Sequence, residues 1–193
     1  MAPQKLLPPY GPVTMHSAPA LRNRPALAAE IATAIGVWGE IEHTLALTLA
    51  EMLGADLEIG LEIFFTIQAD APKRAVMEKI AEKSVPRELR AKLSSFRTQL
   101  KNDSKGRNKL AHALWGIADK HPDELLWMDT KDTAATFVSG REPAVNRRDL
   151  NIWRYSLDDL REITETGINL LGEISKLLDE VRDHAERRRL ASL

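Results

Sequence analysis

The chain has 193 residues, 44% of them hydrophobic and 28% charged, with a formal net charge of −1, the composition of a globular protein large enough to bury a core. Zero cysteines exclude disulfides, thiol catalysis and thiolate metal sites and fit a reducing cytosol. No apolar run approaches the roughly 18 residues of a membrane span, so a membrane is not among the expected partners.

Residues 1–20 read as an extended or disordered arm. Met1 to Pro19 carries five prolines and no continuous hydrophobic stretch, which argues against a secretory signal and for a cytoplasmic location. Residues 21–193 are expected to form a single domain. From Leu27 the apolar or small positions run Leu27, Ile31, Ala34, Trp38, Ile41, Leu45, Thr48 and Met52. Their steps alternate four and three, which marks one face of a long helix, with Pro25 in its first turn and Gly54 at its end. Asp56 is placed to cap a short helix through Ile59, Ile63, Phe64 and Ile67. Asp70 with Pro72 opens another through Val76 and Ile80, and Ser84 with Pro86 a third through Leu89, Leu93, Phe96 and Leu100. Asn102 to Gly106 is expected to interrupt or weaken that helix.

Glu124 to Asp129 and Ala134 to Ser139 read as two short strands joined through Thr130 to Thr133, a small hairpin insertion at about 124–139. Residues 140–151 read as loop. Ser156 and Asp159 then form a capping box for a final helix to about Arg187. Its seam comprises Leu157, Leu160, Thr164, Gly167, Leu171, Ile174, Leu178, Val181 and Ala185. Ile163, Leu170 and Leu177 widen it, which favours packing in a bundle over a coiled-coil dimer seam. Arg187-Arg188-Arg189 suits a helix C-terminus, with RNA contact as the alternative. The predicted fold is an all-α bundle of five to six helices with a small β-hairpin insertion.

Charge is unevenly spread. Residues 1–72 hold 3 basic and 8 acidic side chains, residues 73–110 hold 12 and 4, and residues 111–193 hold 12 and 16. The basic third contains Lys101, Lys105, Arg107 and Lys109, beside His112. Such a concentration suits a polyanion, because phosphate contacts release counterions. A solvated helix face balanced by acidic neighbours is the plainer alternative.

Within it stands Arg107-Asn108-Lys109-Leu110-Ala111-His112. A guanidinium holds phosphate bidentately and keeps its charge at any cellular pH. An imidazole titrates near neutrality, so it can take a proton from a 2′-hydroxyl or give one to a leaving oxygen. An asparagine can fix either partner through its amide. An Arg-x4-His pair is expected about 0.4 times by chance in this composition, and roughly 0.01 times with Asn after the Arg, so it is the triplet that carries information. On a regular helix Arg107 and His112 lie about 140° apart. They converge only if the turn is distorted near Gly106 or if a second copy faces the first.

At these residues the chain resembles the HEPN superfamily, helical bundles with an R-[polar]-x-x-x-H signature. Arg107, Asn108 and His112 match that signature position by position, and Leu110-Ala111 fits its apolar-small filling. The match covers about residues 93–116. A looser likeness runs back through the Trp38-x-x-x-Glu42 helix, and none extends beyond Gly116. The resemblance implies a metal-independent endoribonuclease acting as a homodimer, with two Arg and two His in one basic cleft across a two-fold axis. It also implies a toxin-like or defence role, in which a neutralising protein partner has a place.

On that reading His112 is general base or acid, Arg107 stabilises the charged phosphorane, and Asn108 positions phosphate or ring. Lys101, Lys105 and Lys109 bind RNA. Glu42, beside Trp38 and Leu45, is a candidate to orient Arg107 or His112, the plain alternative being a solvent-exposed glutamate. No cofactor and no metal ligand cluster are expected, since His16, His43, His121 and His184 form no H-x-x-x-H or H-E-x-x-H pair. The second reading is a non-catalytic helical dimer module that binds nucleic acid, nucleotide or a protein partner. In that case His112 is a buried or capping histidine and Arg107 belongs to a structural salt bridge. The four tryptophans read most simply as core or interface residues, with base stacking the alternative.

Overall fold

A computed structural model of the chain describes residues 3–7, 12–132 and 151–191. Among these residues the elements run β1 (Gln4–Lys5), β2 (Val13–Thr14), α1 (Ser17–Arg22), α2 (Pro25–Leu53), α3 (Leu57–Thr66), α4 (Asp70–Ser84) and α5 (Arg87–Ala111). They continue with β3 (Ala113–Ala118), β4 (Leu125–Asp129), β5 (Trp153–Tyr155) and α6 (Leu157–Ala191). The protein is mostly helical, as the periodicities require. No helix among the described residues is long and apolar enough to cross a membrane. The chain divides into two compact units, one of Met1–Gly36 with Lys105–Glu165, the other of Val37–Ser104 with Thr166–Leu193.

The first unit is built on an antiparallel sheet of five strands in the order β1-β5-β4-β3-β2, where the sequence suggested only a hairpin. β4 lies at its centre, and Leu125, Leu126, Trp127 and Met128 are all buried. An unbroken apolar run of this kind needs cover on both faces, and a central strand supplies it. β4 pairs with β3 along one edge (Trp115 opposite Trp127) and with β5 along the other (Trp127 opposite Trp153). The expected pairing of 124–129 with 134–139 is therefore replaced by a β3–β4 hairpin, while residues 134–139 lie outside those described. Ala113 to Ala118 carries no alternation of polar and apolar residues, so its sequence does not mark β3 as a strand.

Parts of the N-terminal segment are extended and paired. Gln4 and Lys5 lie along β5, and Val13 and Thr14 along β3, forming the two outer strands. Outer strands tolerate the neighbouring prolines, which lack a donor for the ladder. Leu6 is buried with Ala118, Leu126, Met128 and Ile152 on one side of the sheet, and its amide donates to the Ile152 carbonyl at 2.9 Å. On the other side Trp115, Trp127 and Tyr155 pack with Leu27, Ile31, Leu110 and Leu160.

The second unit is helical. Its core joins Trp38, Ile41, Leu45 and Leu49 of α2 with Phe64, Met77, Leu93, Phe96, Leu170 and Ile174. Gly54, at φ +62°, ends α2 in the left-handed conformation that glycine adopts without a steric cost. Asp56 caps α3 by accepting from the Glu58 amide at 2.9 Å. At the start of α6, Asp159 Oδ2 accepts from the Ser156 amide at 2.9 Å, while Ser156 Oγ accepts from the Asp159 amide at 3.2 Å. That is the capping box expected from the sequence. Arg188, in the last turn of α6, donates to the carbonyl of Ser84, the last residue of α4, at 3.0 Å.

α5 is continuous through Asn102 to Gly106, where the sequence suggested an interruption or a weakening. Ser104 turns its hydroxyl back onto the Lys101 carbonyl at 3.1 Å, which keeps it compatible with the helix. The position of Gly106 faces Ile163, 3.5 Å from where a Cβ would stand. Glycine costs a helix about 1 kcal/mol relative to alanine, too little to end one of 25 residues.

Candidate functional site at the end of helix α5

α5 ends where the motif does. The last four carbonyls of a helix lack intrahelical donors, and two of these find partners here. The Asn108 carbonyl accepts from the His112 amide at 3.2 Å. The Lys109 carbonyl accepts from the Trp127 indole N–H at 2.7 Å. The indole comes from the central strand, so the sheet fixes the point at which α5 stops. His112 follows as a turn residue before β3 and is exposed.

Arg107 lies in the last turns of α5, half-buried, and donates from Nη1 to Asn108 Oδ1 at 3.0 Å. Its Nε is buried and has no hydrogen-bond acceptor among the described residues, an unmet donor of the kind that costs about 1–3 kcal/mol. α5 is regular through Gly106 to Ala111, so the turn that carries Arg107 is not distorted. Distortion at Gly106 does not bring the two side chains of one copy together. Leu110 is the buried residue between them, while Asn108 is exposed like His112.

Lys105 and Lys109, one turn apart, are exposed on this end of the helix. The Lys109 ammonium lies 5.9 Å from the Trp127 ring and 5.8 Å from the Trp153 ring. Lys101 belongs to the helical unit and is exposed there, as is Glu42. Glu42 follows the fully buried Ile41 but does not share its face of α2, so the side chain turns to solvent rather than to the core.

Two features leave almost no trace in the sequence. The first is the role of Trp127 as donor to the helix end; its place in an apolar strand gives no hint that its N–H is used. The second is a polar cluster in the sheet unit. Arg154 Nη1 stands 2.8 Å from His121 Nδ1 and donates to Glu124 Oε2 at 3.0 Å, while Nη2 donates to Gln4 Oε1 at 2.5 Å. His121 Nδ1 also lies 3.1 Å from Glu124 Oε2. The cluster ties β1 and β5 to the turn after β3, and the spacing of His121 and Glu124 was its only trace in the sequence.

In the helical unit a cleft of about 280 Å³ is lined by Glu51, Met52, Val85, His184 and Arg188 among others. Its charges are engaged: Glu51 accepts from Arg182 at 3.0 Å and Arg188 holds the Ser84 carbonyl. Among the described residues no three His, Asp or Glu side chains gather in a metal-binding arrangement. Compared with protein-family models, with curated proteins and with solved structures, the chain matches none.

Proposed function

We propose that the chain is a metal-independent endoribonuclease of HEPN type, working in the cytoplasm as a homodimer, with a site composed from the α5 ends of two copies. The observation that carries this reading is the end of α5 itself. An exposed histidine and a half-buried arginine with an unmet donor stand on one rigid helix end among exposed lysines. Their angular separation favours an arginine and a histidine drawn from different copies.

In this mechanism the His112 imidazole removes the proton of a 2′-hydroxyl, and the freed oxygen attacks the adjacent phosphorus. Arg107 meets the charge that builds on the phosphorane oxygens, with Asn108 fixing the guanidinium. A protonated histidine returns a proton to the departing 5′-oxygen, leaving a 2′,3′-cyclic phosphate and a 5′-hydroxyl. The negative pole of the helix, about half a charge, opposes a phosphate here. Lys105, Arg107 and Lys109 outweigh it. A toxin-like or defence role, held in check by a neutralising protein, is consistent with such an activity.

The alternative is a non-catalytic dimer module for nucleic acid, nucleotide or protein. One observation favours it: the Arg107 guanidinium is already engaged by its neighbour Asn108, as in a structural arginine. The deciding assay is cleavage of mixed RNA in EDTA by wild type and by His112→Ala. Cleavage with cyclic-phosphate ends that falls by about 10²–10⁴-fold in the variant supports the enzyme. Binding without cleavage supports the module.

A further inference from the structure

Three tryptophans and a lysine stand on one rung of the sheet. Trp115 is opposite Trp127, Trp127 opposite Trp153, and Trp153 opposite Lys5. Directly opposed residues share a face of the sheet. Burial falls along the rung: Trp115 is 4% and Trp127 6% exposed, Trp153 is half-buried, and Lys5 is exposed.

The first two rings are accounted for by the core, and the Trp127 N–H by the Lys109 carbonyl. Trp153 is different. It is a large ring on the strand next to the edge, partly open to solvent, with the Lys109 ammonium nearby and Lys5 as its cross-strand neighbour. The Lys109 ammonium lies at the outer limit of about 6 Å for a cation–π contact. It bridges two rings rather than seating on one, so it is readily displaced. A partly open aromatic ring with lysines beside it matches a single-stranded nucleotide, whose base stacks while its phosphates meet the charges.

We propose that Trp153 is a nucleobase-stacking site for single-stranded RNA, with Lys109 and Lys5 meeting the phosphates on either side of the stacked base. The proposal deepens the ribonuclease reading and rests on it for the choice of RNA. It adds a hold on the substrate that tolerates any base, because every base has a π-face.

The test uses the full chain and a mixed-sequence 2′-O-methyl heptanucleotide, which has no free 2′-hydroxyl and cannot be cut. An abasic oligomer of equal length and charge is its control. Wild type is expected to bind the base-bearing oligomer about tenfold more tightly than the abasic one. Trp153→Leu, which keeps apolar bulk, should erase that preference, and Trp153→Phe should keep most of it. Lys5→Ala should weaken both oligomers equally and flatten the salt dependence, as a phosphate contact does. Equal binding of the two oligomers, binding of neither, or a preference that survives in Trp153→Leu would overturn the proposal. A preference for bases in a protein that cuts no RNA would leave the stacking site standing and remove the ribonuclease reading.

Discussion

The indole of Trp127 donates to the carbonyl of Lys109 at 2.7 Å, and this one bond couples the central strand of the sheet to the end of the motif helix. It satisfies a carbonyl that the helix leaves open and sets the point where His112 turns out of α5. Trp127→Phe keeps most of the ring's packing and removes the donor. We expect a loss of about 1–3 kcal/mol in denaturant unfolding, with faster amide exchange in the segment from Leu110 to Ala113. Unchanged stability and exchange would show that the helix end is held by other contacts.

Leu6 tests whether the N-terminal strand belongs to the fold. It is 2% exposed and packs against Leu126, Met128 and Ile152. Leu6→Ala should cost about 2–5 kcal/mol, the range for a buried leucine. A change under about 0.5 kcal/mol, the size usual for surface positions, would mean that residues 3–7 do not stay on the sheet in solution.

Tyr155 gives the fold a dependence on alkaline pH. Burial, with a smaller contribution from the carboxylate of Asp159, pushes its phenol from an ordinary value of 10.0 up to about 12. Between those values the unfolded chain releases this proton while the folded chain keeps it. The stability tied to the neutral phenol is thus complete below pH 10 and is lost as pH rises towards 12. Thermal unfolding should show Tm falling more steeply over that interval in wild type than in Tyr155→Phe. Parallel curves would contradict the assignment.

What was legible in the sequence followed from local signals. The four-three spacing from Leu27 to Met52, the cap at Asp56 and the Ser156–Asp159 box each specify a structure by themselves, and each is present. The sheet was harder because its strands are two to six residues long and come from distant parts of the chain. Leu125 to Met128 announces a buried strand, but nothing in it names Ala113–Ala118 and Trp153–Tyr155 as its neighbours. The polar run from Asn102 to Gly106 differs for the opposite reason: local propensity speaks against a helix that nevertheless runs unbroken to Ala111. At the site, the residue types and their spacing could be read, along with the angular conflict between Arg107 and His112. The helix-ending bond from Trp127 and the open face of Trp153 depend on the register of three strands, which no local pattern encodes.

The proposed site cuts RNA with an arginine and a histidine contributed by different copies. Arg107→Ala and His112→Ala proteins, each inactive alone, can be mixed under conditions that exchange subunits. A mixed dimer then holds one complete Arg107–His112 pair and one empty one. Half of the dimers are mixed at equal input, so about one quarter of wild-type cleavage of mixed RNA in EDTA should be recovered. No recovery in a mixture shown to contain mixed dimers, or full cleavage by either variant alone, would contradict it.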